Sequence, residues 1–167
     1  MYDNVAANNV LYGNVDCSGT PRQIAIEVRR TVILRDNLVT TDDPGLTLTE
    51  DRRFCPVVGS AVVDAGAFIA RTTSGGSGRR VPVDDTSWFS DGYGVVDGDE
   101  IRFLGSDRPI RIVAVDDATL TIVLSEEVSW NKNQGIHLWY EGAAPDLGAF
   151  EFGSAQCDDG HNSGNSH

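Results

Sequence analysis

Apolar and polar positions alternate in short runs through the second half of the chain. Val81-Pro82-Val83, Glu100–Leu104, Ile110–Val115, Leu120–Leu124 and Ile136–Tyr140 each show the period of two expected of a half-buried strand. Turn-forming clusters separate them at Gly98-Asp99, Ser106-Asp107-Arg108 and Asp116–Thr119. Strands so short and so closely spaced predict a small antiparallel SH3-like barrel over residues 79–141. In the last run, alternation puts Ile136, Leu138 and Tyr140 on one side and His137, Trp139 and Glu141 on the other. No helical period of useful length occurs anywhere.

Residues 4–40 read differently, as short strands between polar turns. Asn8–Val15 is one unit, Ile24–Val28 alternates as a half-buried strand, and Thr31–Leu34 and Arg35–Val39 follow. An asparagine followed by an apolar residue recurs at Asn9-Val10, Asn14-Val15 and Asn37-Leu38. Asparagine tolerates left-handed backbone at turns, and its amide can bond along a stack of strands. The Asn9 to Asn37 spacing suits one long coil or two short coils of a solenoid. Asp42–Leu46 is a turn signal, and Thr72–Gly78 reads as a flexible linker. The Asp-, Asn-, Ser- and Gly-rich stretch 154–167 reads as a mobile tail.

Two distant segments carry a family resemblance. They are Gly59-Ser60-Ala61-Val62-Val63-Asp64-Ala65-Gly66-Ala67 and Ala144-Pro145-Asp146-Leu147-Gly148-Ala149-Phe150-Glu151-Phe152-Gly153. Together with Asp42-Asp43-Pro44-Gly45 they resemble the closing region of secreted right-handed parallel β-helix proteins of the choice-of-anchor Q and polysaccharide-lyase-like kind. There the pattern is GSPAIDAGA, followed later by PDIGAFEYG. Ala61 stands here for the usual proline and Val63 for isoleucine. The resemblance implies an all-β protein with a short right-handed parallel β-helix remnant or cap, built from residues 1–70 and 142–153, and a barrel inserted between the halves. It also implies an extracellular or cell-surface location and association with polysaccharide. The expected role is a non-catalytic terminal module that caps a solenoid and binds glycan. One alternative is a structural subunit, a homo-oligomer assembling through an open β-helix end, and another is a fragment of a larger lyase or glycoside hydrolase. Asp64 and Asp146 fall inside the signature segments, where their expected task is bonding backbone N–H groups.

Composition narrows the partners. The 167 residues, 40 % of them hydrophobic, suffice for a packed core, and 18 glycines fit a turn-rich β protein. A net charge of −12 argues against nucleic acid and anionic lipid, which need a basic face. No apolar run is long enough to cross a membrane, so no membrane insertion is expected. The chain begins without a signal segment, which reads as a removed leader or a cytoplasmic protein. The odd count of Cys17, Cys55 and Cys157 leaves at least one thiol unpaired within a monomer. A Cys17–Cys55 bridge needs those positions stacked on adjacent coils. Otherwise Cys55, within Phe54-Cys55-Pro56-Val57-Val58, is a small buried hydrophobe.

Candidate chemistry centres on the barrel. Trp88, Tyr93, Trp130 and Asn131 are the candidate glycan contacts, because sugars stack on exposed rings and bond to polar side chains. Trp130 lies in the polar stretch Ser129–Gly135, which reads as a loop. Core filling is the alternative for these rings. Asp84, Asp85, Asp91, Asp97 and Asp99 surround Ser90–Gly94 and form a candidate calcium site, since calcium takes several carboxylate oxygens from a wrapping chain. They lack EF-hand and RTX spacing, and turn chemistry is the alternative. No other cofactor is expected. His137 has no Ser or Cys nucleophile motif nearby, and no lyase motif matches, so no catalytic residue is assigned. His161, His167, Asp158 and Asp159 could scavenge a metal from the tail.

Overall fold

The computed structural model describes residues 4–21 and 32–157. The predicted strand Ile24–Val28, Arg29, Arg30, and residues 158–167 with both tail histidines lie outside the described residues. The protein is all-β, with one short 3₁₀ turn among the described residues, at Gly92–Gly94. It divides into two units: residues 1–67 with 144–167, and residues 68–143.

In the first unit, β1 (Asn4–Ala7) pairs in parallel with β3 (Val32–Arg35), and β2 (Val10–Tyr12) with β4 (Leu38–Thr40). Both pairs share one register: Val5 lies beside Ile33 and Leu11 beside Val39, an offset of 28 residues in each case. The bend between strands falls at the same place on both levels, where Asn8 and Asp36 take φ of 56° and 53°. Left-handed backbone is costly for most side chains but tolerated by Asn and Asp, which explains their presence there. Beside the bend the Asn9 backbone N–H donates to Asn37 Oδ1 at 3.0 Å and its Nδ2 to the same oxygen at 2.9 Å. Asn37 Nδ2 reaches the Ala6 carbonyl at 2.8 Å.

The Asp42–Leu46 turn leads into an antiparallel hairpin of β5 (Leu46–Leu48) and β6 (Phe54–Pro56). Gly45, at φ 80°, cannot be replaced freely: a Cβ there would stand 2.9 Å from the Ser60 Cα. The Ser60 hydroxyl donates to the Pro44 carbonyl at 2.7 Å, tying this turn to the Gly59–Ala67 segment. Cys55 is disulfide-bonded to Cys157, and Cys17 is free and exposed. Adjacent coils therefore do not bring Cys17 to Cys55. Cys17 sits in an exposed turn where Asp16 Oδ1 accepts the N–H groups of Ser18 and Thr20. Large side chains completely withdrawn from solvent are few in this unit, chiefly Val62, Cys55 and Pro145.

The second unit is a curled six-stranded antiparallel half-barrel in the order β7-β12-β9-β10-β11-β8. Its strands are β7 (Ala70–Arg71), β8 (Gly76–Pro82), β9 (Glu100–Phe103), β10 (Ile110–Asp116), β11 (Thr121–Trp130) and β12 (Gly135–Leu138). The inward positions predicted by alternation fill its core: Val81, Val83, Ile101, Phe103, Ile110, Ile112, Ile122, Leu124 and Ile136. Full burial of such a side chain is worth roughly 1.5–3 kcal/mol against exposure, so this unit rests on its core.

Two readings change. The Gly- and Ser-rich segment is not a free linker, because Gly76, Ser77 and Gly78 pair with Trp130, Ser129 and Val128. Strand β11 correspondingly continues through Ser129 to Trp130 instead of ending at a loop. The cause is packing: the Trp130 ring lies over Gly76, where a Cβ would come within 2.9 Å of Cζ2. Only glycine lets an indole settle there, so the glycine and the tryptophan place each other. Alternation fails at Leu138, the last residue of β12, which is 39 % exposed. Tyr140 is fully buried, edge-on to Phe68 at 5.9 Å, with the Arg102 guanidinium over its ring at 4.2 Å.

Candidate functional site

The long connection from β8 to β9 is held by carboxylates. Asp84 Oδ1 accepts the Arg71 N–H at 2.7 Å. Asp85 Oδ1 accepts the Ser87 N–H at 2.9 Å and hydroxyl at 2.6 Å, and its Oδ2 takes the Trp88 indole N–H at 2.9 Å. Asp99 Oδ2 accepts the Ser90 N–H at 2.7 Å. Asp91 Oδ1 accepts the Tyr93 N–H at 2.9 Å, and its Oδ2 faces the Val115 N–H at 3.3 Å. The Asp85–Ser87 and Asp91–Tyr93 bonds are Asx-type turn bonds, while Asp84, Asp99 and Asp91 Oδ2 hold N–H groups from more distant parts of the chain.

The tip of this connection is unusual. Gly92, Tyr93 and Gly94 take φ of 78°, 52° and 71° in succession. Gly92 is required, since a Cβ would stand 2.8 Å from the Asp97 backbone carbon. The left-handed turn throws the Tyr93 side chain outward, 85 % exposed. Behind the tip, Arg111 joins Asp97 to Glu100, with Nη2 2.7 Å from Glu100 Oε1. Hydrogen bonds to Glu100 and Asp97 raise the guanidinium pKa above its ordinary value.

A cavity of about 150 Å³ opens beside the tip, lined by Thr86, Ser87, Phe89, Asp91, Tyr93, Val115 and Asp117. Phe89 belongs to the core and Thr86 is buried. The Thr86 hydroxyl donates to Asp117 Oδ1 at 2.7 Å, which leaves Asp117 Oδ2 without a partner among the described residues. The site thus offers an exposed phenol ring, a free carboxylate oxygen and two hydroxyls around one small hollow. Such a set can accept hydrogen bonds from a ligand rich in O–H groups while a flat apolar face rests on the ring.

The sequence-derived candidates fall apart in space. Tyr93 lines the hollow. Trp88 is half-buried and bonded to Asp85. Trp130 is buried in the core, so its ring presents no open face, and its indole N–H has no hydrogen-bond partner among the described residues. Asn131 is exposed in the turn after β11, where its carbonyl accepts the Thr72 hydroxyl at 2.5 Å. Of the five aspartates proposed for calcium, Asp91 alone lines the hollow, while Asp84, Asp85 and Asp99 hold turns and Asp97 meets Arg111. Among the described residues no three His, Cys, Asp or Glu side chains gather where they could hold a metal ion. Thr86 and Asp117 share no local sequence signal, because residues on different turns become neighbours only through the sheet. The Asp116-Asp117 turn between two strong strands was the one local signal.

No protein-family model, curated protein or solved structure matches this chain.

Proposed function

We propose that this chain is a non-catalytic carbohydrate-recognition module. In this reading the second unit offers the hollow at Tyr93 to a neutral sugar. The first unit serves as the terminal piece of a parallel β-helix in a polysaccharide-associated protein outside the cell. The observation that carries the sugar site is the 85 % exposed Tyr93 ring beside a hollow whose Asp117 Oδ2 has no partner among the described residues. The carboxylates of Asp91 and Asp117, with a chain charge of −12, favour neutral glycans over uronates or sulfated sugars. The β-helix reading is supported by the constant offset of 28 residues between parallel strands and by the two signature segments.

The test is titration of neutral and uronic oligosaccharides by calorimetry, after selection on a glycan array. Tyr93→Ala should weaken binding by roughly 1–3 kcal/mol, the usual cost of losing an aromatic contact. Its melting temperature should stay unchanged, because the ring is exposed. Asp117→Asn should weaken binding as well. Absence of any binding glycan, or equal binding by Tyr93→Ala, would refute the reading.

A further inference from the structure

The polar side chains around the Tyr93 hollow are nearly all acceptors. The Thr86 hydroxyl donates its proton to Asp117 Oδ1 at 2.7 Å, and the Ser87 hydroxyl donates its own to Asp85 Oδ1 at 2.6 Å. An ionised carboxylate can only accept, so each hydroxyl oxygen keeps lone pairs but no proton for a ligand. Asp91 takes the Tyr93 N–H on Oδ1 and the Val115 N–H on Oδ2, and each oxygen retains a further acceptor site. Asp117 Oδ2 has no partner among the described residues. The Tyr93 phenol is the one side-chain donor left in the lining.

Charge points the same way. The lining holds two carboxylates and no Lys, Arg or His. Arginines on the flanking strands are committed to other carboxylates: Arg80 of β8 lies 3.5 Å from Asp116, and Arg111 of β10 joins Asp97 to Glu100. Asp91 and Asp117 enter no ion pair among the described residues. Two like charges around one small hollow repel each other and gain most from a bound cation. A metal ion suits it poorly, since no three ligating side chains gather among the described residues. An ammonium group suits it well. It carries three N–H donors and no acceptor, and it is attracted to the face of an aromatic ring such as the exposed Tyr93.

We propose that the hollow prefers a sugar carrying a protonated primary amine, an amino sugar of the glucosamine class, over one with a hydroxyl at the same position. The inference rests on the carbohydrate reading and carries it one step further, because charges that turn away uronates do more for a cationic sugar than for a neutral one. The ammonium donates to Asp117 Oδ2 and to Asp91, and the sugar ring lies against Tyr93. A hydroxyl in its place brings one proton and lone pairs into a set of acceptors. An acetylated amine loses the charge and brings a carbonyl oxygen, a further acceptor.

The probes are short oligomers of glucosamine, N-acetylglucosamine and glucose with the same linkage, titrated into the full chain by calorimetry. They differ only in an amine, an acetamide or a hydroxyl at one ring position. At a pH where the amine is protonated, the glucosamine oligomer should bind about tenfold tighter than the glucose oligomer, because hydrogen bonds between charged groups are roughly twice as strong as neutral ones. High salt should shrink that advantage, since it screens exposed charges. Asp117→Asn keeps an oxygen for the Thr86 hydroxyl and should cut the preference to about twofold or less. Tyr93→Ala should weaken every oligomer that binds. A glucose oligomer that binds through Tyr93 as tightly as the glucosamine oligomer would overturn the amine preference and leave the carbohydrate reading standing. Absence of binding by these and by every other glycan would overturn both. Glucosamine binding that neither Asp117→Asn nor Tyr93→Ala changes would mean general attraction of a polycation to a chain of charge −12, and would overturn the site. Should Asp117→Asn fail to fold, the parent decides: an amine preference that salt does not diminish counts against the proposal.

Discussion

Asp146 and Asp64, 82 residues apart, clasp two segments of chain together, each carboxylate accepting a backbone N–H of the other segment. Asp146 Oδ1 accepts the Asp64 N–H at 2.7 Å, and Asp64 Oδ1 accepts the Ala144 N–H at 2.9 Å. Asp146 is 5 % exposed and also takes the Phe152 N–H on Oδ2 at 2.6 Å. Asp64 sits at φ 53°, the conformation that lets its side chain reach back. With the Gly66 N–H on the Pro145 carbonyl at 2.7 Å and the Leu147 N–H on the Val62 carbonyl at 2.9 Å, the clasp joins the two signature segments.

Removing the clasp should weaken the first unit most. Asp146→Ala strands two part-buried N–H groups, those of Asp64 and Phe152, that now donate to a carboxylate, at a cost of roughly 1.5–3 kcal/mol in all. Urea unfolding should show an earlier transition for this unit, while the Trp130 environment in the second unit stays native. Coincident loss of both would mean that the two units unfold as one.

The disulfide should matter for the same unit. Cys55 and Cys157 are 102 residues apart, and the unit has few fully buried large side chains to replace their bond. Cys55→Ser with Cys157→Ser should lower stability by roughly 2–5 kcal/mol. Melting curves with and without reductant check this: the parent should fall to the level of the double variant on reduction. Equal melting temperatures for the two proteins would show that the bond is dispensable.

Trp130 and Gly76 should respond as a packed pair. Trp130→Ala should cost about 3–5 kcal/mol, as expected for loss of a buried ring, and leave glycan binding at Tyr93 intact in the folded fraction. Trp130→Phe should cost much less, because the indole N–H it removes has no partner among the described residues. Gly76→Val drives a side chain into the ring and should cost about 1–3 kcal/mol. Thermal unfolding of the three variants tests the ranking.

His137 gives the second unit a pH dependence. Burial lowers its pKa below the ordinary value of about 6.5, and a hydrogen bond to the Leu138 carbonyl opposes this only partly. The folded state therefore binds the proton less well than the unfolded chain. Stability is fully present above pH ~6.5 and declines as pH falls below it, toward the lowered folded pKa. His137→Gln should flatten that decline. An unfolding free energy equally steep in both proteins between about pH 7 and 5 would assign the effect to the carboxylates.

Alternation alone determined that residues 100–124 form antiparallel strands, because a half-buried strand must place every second side chain in the core. Ile101, Ile112 and Ile122 sit where that period puts them. The Asn9 and Asn37 repeat was legible because their amides bond between the two strand levels, and the left-handed bend one residue earlier, at Asn8 and Asp36, likewise selects Asn or Asp. Other features had no local signature. Gly76 reads as linker until Trp130 covers it, and Trp130 reads as loop until Gly76 makes room for it. Cys157 became the partner of Cys55 because the chain returns to the first unit after residue 143. The hollow at Tyr93 needed Thr86 and Asp117, 31 residues apart, on turns that only the curled sheet brings within hydrogen-bonding distance. Period and turn chemistry act over a few residues and are written in the sequence. Contacts between distant residues depend on how whole strands pack, and that is decided only when the sheet has closed around its core.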